Sequence, residues 1–377
     1  MAAVRARKQR TRSNRPDDRR AVLLTVSGSI PHDLDREVAD GRRPRADYRV
    51  IAEVTGADVV DVEAARRASG VLGAVLHRLG GPGALLAWFA FRHRRNYDVL
   101  FTDGEQVGIP LALLTRAFGK GGCSHVMIVH ILSVPKKVRL MRAARLPRQI
   151  DRYITYCTSQ ADYIRSQLGV PGERVVRSTF MVDTEFFAPA QSRAPHAPGA
   201  PRRRLISSAG LERRDFPTMM EAVEGLDVDV VIAAASPWSK QSDSSAGRAL
   251  PANVRIARLD QNELRELYRE SAFVVVPLVE IDFQAGITTI LEAMSMALAV
   301  VCTRTSGQTD TIVDGETGLY VAPGDAVALR DAIKRLLDDP VEAERLGGNA
   351  RTWVVERADV WVYAGVLKDV VAGVSGR

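Results

Sequence analysis

Cysteine is scarce: the chain of 377 residues has three, Cys123, Cys157 and Cys302. Scattered and odd in number, they fit neither a metal-ligand spacing nor a disulfide framework. A reduced, cytoplasmic setting is the expectation. Long apolar runs are missing too, and no stretch approaches the ~20 apolar residues that a membrane span needs. Arg19-Arg20 precedes an apolar run, Ala21 to Val26, that is too short for the h-region of a twin-arginine export signal. It reads instead as a first strand. The body of the chain also lacks a charge excess. The net charge is +7, but residues 1–20 alone hold eight Arg or Lys against Asp17 and Asp18. That distribution argues against a nucleic-acid-binding surface on the body. The arm reads as a disordered tail, with contact to an acidic membrane or partner as the alternative. No DxD-type carboxylate pair is placed for a divalent cation; neither a metal nor a cofactor is expected.

What is present is alternation. Apolar strands are expected at Ala21–Val26, Val50–Val54, Val59–Val62, Val99–Thr102, His125–His130 and Tyr153–Cys157, with helical stretches at Ala64–Leu79 and Gly83–Arg94. A Pro-rich segment, 188–204, reads as a linker. A second run then has strands at Leu205–Ser208, Val228–Ala233, Val254–Ile256, Phe273–Pro277, Ala299–Thr303 and Gly318–Val321. Helices are expected between them at Phe216–Val223, Gln261–Ser271, Thr288–Met296, Ala326–Leu337 and Val341–Arg357, and an apolar stretch follows from Val360 to Val371. Strands alternating with helices indicate parallel βαβ units. The reading is an α/β chain of two doubly wound domains facing a cleft, with ligands at the carboxyl ends of the strands. The expected divisions are a basic arm (1–20), a first domain (21–187), the linker, a second domain (205–357) and a final helix (358–377).

The most informative block is Val279 to Met294. A buried strand runs into a polar loop with Gly286, and a helix starts near Thr288. Its unpaired N–H groups, at Gly286, Ile287, Thr288 and Thr289, and its dipole favour an anion, phosphate above all. Glu292, about one turn on, can reach hydroxyls attached to that phosphate. Phosphate with sugar hydroxyls means a nucleotide, and a nucleotide sugar in particular. Before it, Ser208-Ala209-Gly210-Leu211-Glu212-Arg213-Arg214 places a glycine and two guanidinium groups after a strand, suited to a diphosphate.

These two blocks resemble the sugar-nucleotide site of retaining GT-B glycosyltransferases of the family 4 (group 1) type. The family pattern is Glu, seven residues, Glu, then Ala-Met; here the second glutamate is Glu292 and the first position holds Gln284. The resemblance implies the GT-B fold, with the last helix crossing back onto the first domain. It implies a hexosyl transfer from a nucleoside diphosphate sugar, UDP- or GDP-linked, to a small-molecule acceptor, a natural-product core or cyclitol, or to a lipid. It assigns Arg214 and Arg213 to the leaving diphosphate, Glu292 to the ribose, and Gln284 to the donor sugar. His130, at the end of an apolar strand, is then the residue facing the donor sugar or orienting the acceptor, where on its own it would be a satisfied strand-end side chain. Gly28, in Ser27-Gly28-Ser29, falls where family members approach the diphosphate. Glu105 follows the Val99–Thr102 strand and is either an acceptor contact or a helix cap. Competing readings are a GT-B nucleotide-sugar epimerase, a sugar phosphorylase and a non-catalytic nucleotide-sugar-binding subunit. Leu85 to Phe91, followed by Arg92, His93, Arg94 and Arg95, is either a core helix or a helix facing the inner membrane.

Overall fold

The computed structural model describes residues 21–189, 204–233 and 250–374. The expected arm, and the expected linker apart from its ends, lie outside these residues. The chain divides into two units. One comprises the residues up to Leu34, Ala46–Ser178 and the chain from Tyr363 onward; the other comprises Asp35–Arg45 and Thr179–Val362.

The first unit is built on parallel strands β1 (Val22–Thr25), β2 (Asp58–Val60), β3 (Val99–Thr102), β4 (Ser124–Val129), β5 (Arg152–Thr155) and β6 (Val175–Arg177), in the order β2-β1-β3-β4-β5-β6. Along this part of the chain run helices α1 (Leu34–Ala39), α2 (Asp47–Thr55), α3 (Val62–His93), α4 (Glu105–Phe118), α5 (Pro135–Ala143) and α6 (Thr158–Leu168). Strands β1, β3 and β4 are buried throughout, so they read as continuous apolar runs rather than alternating ones.

The expected strand Val50–Val54 is instead the body of α2. Its apolar residues recur at Val50, Ile51 and Val54, one helical face, and Gly56 closes the helix in the left-handed region with its N–H on the Ala52 carbonyl. Burial of that face overrides the strand preference of valine and isoleucine. The edge strand β6, with 3 residues, is too short to show a strand pattern in the sequence. The stretch Leu85–Phe91 is core: Leu85, Leu86, Ala87, Phe89, Ala90 and Phe91 are all buried.

The second unit carries β7 (Leu205–Ala209), β8 (Asp229–Ala233), β9 (Val254–Ala257), β10 (Phe273–Val276), β11 (Val300–Thr303) and β12 (Leu319–Val321), all parallel, in the order β12-β11-β10-β7-β8-β9. Helices α7 (Phe216–Val223), α8 (Gln261–Glu270), α9 (Ile287–Ser295), α10 (Ala326–Asp338) and α11 (Pro340–Arg357) cover it. Buried clusters lie on both faces of the sheet: Val274, Val276, Ile290, Leu291 and Met294 on one, and Phe216, Met219, Phe273, Val275 and Ile333 on the other. Asp35–Arg45 belongs to this unit because Arg45 anchors it. The Arg45 backbone N–H donates to Asp183 Oδ2 at 2.7 Å, and its guanidinium pairs with Asp183 and Glu185. The last helix, α12 (Val360–Gly373), passes into the first unit at Tyr363, whose hydroxyl lies 2.8 Å from that of Tyr156.

Candidate active site

In the second unit the strand order reverses between β7 and β10, and ligands of doubly wound sheets bind at such a switch point, beyond the carboxyl ends of the strands. Both motif blocks lie there. The β7–α7 loop is tied to the β10–α9 loop by an antiparallel bridge, in which the Val279 N–H donates to the Arg213 carbonyl at 3.1 Å and the Asp215 N–H to the Pro277 carbonyl at 3.0 Å. This bridge places Arg214 side-on to the start of α9. The Arg214 guanidinium donates from Nε to the Ala209 carbonyl (2.8 Å), from Nη1 to the Glu212 carbonyl (2.8 Å) and from Nη2 to Thr289 Oγ1 (3.1 Å). Burial pushes its pKa down to about 10, so it stays charged at neutral pH.

Two glycines make room for that plane. A side-chain carbon at Gly210 (φ +85°) would lie 2.7 Å from Arg214 Nη2, and one at Gly286 (φ +79°) would lie 3.3 Å from Nη1 and 2.9 Å from Val276 Cγ1. Gly286 is also the residue that caps α9, so the first N–H groups of the helix (Ile287, Thr288, Thr289) open beside a fixed cation. Arg213, which has φ +56°, is exposed and leans towards Glu212 at 4.0 Å.

Glu292 is buried and accepts the Tyr268 hydroxyl at 3.0 Å. Burial raises its pKa to about 7, against the lowering effect of that hydrogen bond and of the Arg214 charge. Gln284 donates from Nε2 to Thr311 Oγ1 at 3.1 Å, while its Oε1 is buried without a partner among the described residues. Turning the amide over would only exchange which polar atom is left over, so the position keeps one amide function available for a ligand. Tyr268 and Thr311, which hold these two side chains, had no signal in the sequence.

In the first unit the order reverses between β1 and β3, and the loops after these strands meet. Ser27 donates to the Asp103 carbonyl at 2.7 Å and accepts from Gln106 Nε2 at 2.9 Å, which ties the loop that carries Gly28 to the Asp103–Gln106 turn. His130 follows β4. Its Nε2 lies 3.4 Å from Asp103 Oδ1, its ring centroid is 5.7 Å from that of Tyr156, and its side chain is 39% exposed. Burial acts to lower its pKa, but the hydrogen bond and charge of Asp103, with the charges of Glu105 and Asp47, raise it overall. Asp47 is itself pushed up to about 6 by burial and by the like charge of Asp103.

Glu105, a candidate acceptor contact in the sequence, is 3% exposed and faces inward. It accepts the N–H groups of His130 (3.1 Å) and Ile131 (3.2 Å) and the Lys137 ammonium (2.7 Å). Burial alone would raise Glu105, yet the Lys137 and His130 charges hold it below the usual carboxylate range. It thus positions His130. His125 is buried at the start of β4, 3.1 Å from Thr102 Oγ1, with its pKa pushed down to about 3, and is a neutral structural side chain.

A histidine held by Asp103 is testable directly. Its raised pKa means that its charge stabilises the fold fully below about pH 6.5, and that this stability is lost as pH rises through the folded value. Asp103→Asn removes the principal raising influence. NMR titration of the His130 ring should show a lower pKa in that variant, and an unchanged titration would remove Asp103 from the arrangement.

Among the described residues, no group of three or more His, Cys, Asp or Glu side chains is placed to hold a metal ion. No helix there is long and apolar enough to cross a membrane. The three cysteines are buried and unpaired with one another.

Two parallel six-stranded sheets, each with its site loops at a switch point, define the class: this is the GT-B fold. The structure of the Anabaena protein HepE in complex with UDP-glucose shares it, with a TM-score of 0.68 over 94% of this chain and 100% of that one at 14% identity. Residues 213–339 match the model of the family described as glycosyl transferases group 1. The MMP α-(1→4)-mannosyltransferase of Mycolicibacterium hassiacum is 27% identical over 226 residues, 56% of this chain and 51% of that protein. The α-D-kanosaminyltransferase of Streptomyces kanamyceticus is 29% identical over 203 residues, 50% of this chain and 52% of that protein. The chain thus spans about half the length of these relatives.

Proposed function

We propose that the protein is a retaining glycosyltransferase that moves a hexosyl group from a nucleoside diphosphate sugar to a hydroxyl of a small molecule, such as a natural-product core or cyclitol, or of a lipid. The observation that carries this reading is the Arg214 guanidinium, held across the amino end of α9 in a space that Gly210 and Gly286 keep clear. A buried cation beside open helix N–H groups is a preorganised environment for charge that develops on a leaving diphosphate. UDP-glucose bound by HepE supports a UDP-sugar donor, and the names of the mannosyl- and kanosaminyltransferase relatives support hexosyl transfer.

In this reading the bond from the anomeric carbon to the diphosphate oxygen breaks and both its electrons leave with the diphosphate. Arg214, Arg213 and the N–H groups of Thr288 and Thr289 receive that charge without a divalent cation. The acceptor hydroxyl attacks the same face and gives its proton to the departing phosphate oxygen. Glu292 takes the ribose hydroxyls, Gln284 reads the donor sugar, and His130 serves the acceptor side.

Thermal stabilisation by UDP, GDP, ADP and dTDP, with and without attached hexoses, tests the donor site. One base should stabilise selectively, and no shift with any nucleotide would overturn the reading. Retention is tested on the product, whose anomeric proton coupling should match the donor's. Gln284→Glu replaces a neutral amide by a carboxylate that forms stronger, charge-assisted bonds to sugar hydroxyls. It should change the order of preference among donor sugars sharing one base; an unchanged order and rate would take Gln284 out of the site.

A further inference from the structure

We infer that the exposed face of α3 between Gly70 and Gly81 docks on an anionic phospholipid surface, independently of the function proposed above. Both glycines leave the helical region with positive φ, +57° and +72°, so the turns between them form a separate short helix within α3. At about 100° per residue, Val71, Leu72, Val75 and Leu79 fall on one face of that helix. They are 83%, 50%, 45% and 83% exposed. The opposite face is turned inward: Gly73 is buried, and a side-chain carbon there would lie 3.4 Å from Leu85 Cδ1 in the core. The four apolar side chains therefore form an outward stripe on one short helix, where singly scattered exposed residues would need no explanation.

Charge identifies the occupant. Between Glu63 and Asp98 the sequence contains no Asp or Glu, while Arg66, Arg67 and Arg78 lie on or beside this helix. All three are exposed, and Arg78 borders the apolar stripe next to Val71. Glu63, 3.7 Å from Arg66 and 3.3 Å from Arg67, is the carboxylate that partly offsets them. A second copy of this face would bring like charges together, with Glu63 alone to offset them. Four side chains on a helix of about 15 Å also fall well short of the roughly 800 Å² per partner that a stable protein interface buries. Anionic headgroups supply the missing charge, and the acyl boundary takes the apolar stripe, as for helices that lie in the interfacial plane.

The test is co-sedimentation of the full chain with vesicles of phosphatidylcholine alone or of phosphatidylcholine with phosphatidylglycerol. The chain should pellet with the second and be released by salt. In the full chain, the double variant Val71→Ser/Leu79→Ser should lose most of that binding, and Arg78→Gln should weaken it about fivefold. Both variants should keep the wild-type thermal midpoint, since these side chains are exposed. Leu79→Trp should add a blue-shifted emission with the anionic vesicles only. Wild-type pelleting by the double variant would assign the binding to another basic region and overturn the inference. So would equal binding to both vesicle types, binding to neither, or a wild-type dimer that the double variant dissociates.

Discussion

Arg214→Met should abolish nucleotide-dependent stabilisation while leaving the unliganded protein as stable as the wild type or more so. Two opposed effects lead to this. Burying the guanidinium is costly, as its depressed pKa of about 10 shows, and replacing a buried charge with an apolar side chain of similar volume is often neutral or stabilising. The carbonyl of Ala209 keeps a partner, because Thr289 Oγ1 also donates to it at 3.3 Å. For ligand binding the balance reverses. A charge-assisted hydrogen bond to phosphate contributes about 1.5–3 kcal/mol, and one preorganised donor for developing charge is worth roughly 10²–10³-fold in kcat. A nucleotide at a hundred times its Kd adds about 2.7 kcal/mol of stability, and in Arg214→Met that increment should vanish. Arg214→Lys should fall between the two. It keeps the charge, but a single ammonium cannot span the Ala209 carbonyl, the Glu212 carbonyl and Thr289 Oγ1 together. Unchanged stabilisation of the Met variant by the nucleotide that stabilises wild type would sink the assignment of Arg214 to the diphosphate. A large loss of stability without ligand would make Arg214 structural.

Why the second unit was so legible follows from where its chemistry lies. Gly210, Arg214, Gly286, Thr289 and Glu292 sit on two strand–loop–helix segments, each continuous in sequence, and both segments end at one switch point. Local pattern therefore carried the candidate site, and the helix Phe216–Val223 has the expected bounds. The first unit gathers its cluster from five distant stretches: Asp47 on α2, Asp103 after β3, His130 after β4, Tyr156 after β5 and Tyr363 on α12. No spacing rule connects Asp47 to Tyr363. Reading Val50–Val54 as a strand also hid the helix that presents Asp47. Glu105 shows a different limit. A carboxylate at a helix start after a strand reads equally as a ligand contact or as a support, and only the Lys137 ammonium and the N–H groups of His130 and Ile131 decide for support. Valine and leucine at 71–79 are ambiguous in the same way, since periodicity shows that a helix has an apolar face and only burial shows which way it points.

Glu292 should make nucleotide binding depend on pH in a way that Glu292→Gln does not. Its carboxyl is raised from 4.5 to about 7, chiefly by burial. Between those values the folded state holds a proton that the unfolded chain has released. Stability from this group is thus fully present below about pH 4.5 and lost as pH rises through about 7, an effect of up to about 3 kcal/mol. Glu292→Gln removes the titration, so the unliganded variant should be flatter across this window and more stable than wild type at pH 8. Ligand binding runs the other way. Ribose hydroxyls donate, and the ionised carboxylate is the better acceptor, so nucleotide binding must pull the proton off. From pH 6 to pH 8 the ionised fraction of a carboxyl titrating at about 7 rises about tenfold, and the affinity of wild type relative to Glu292→Gln should rise by the same factor. Taking the ratio of the two proteins cancels the ionisation of the nucleotide's own phosphate. Calorimetric titration of both with the selected diphosphate across this range measures it. A ratio that stays flat would show that Glu292 serves Tyr268 and the core rather than the ribose.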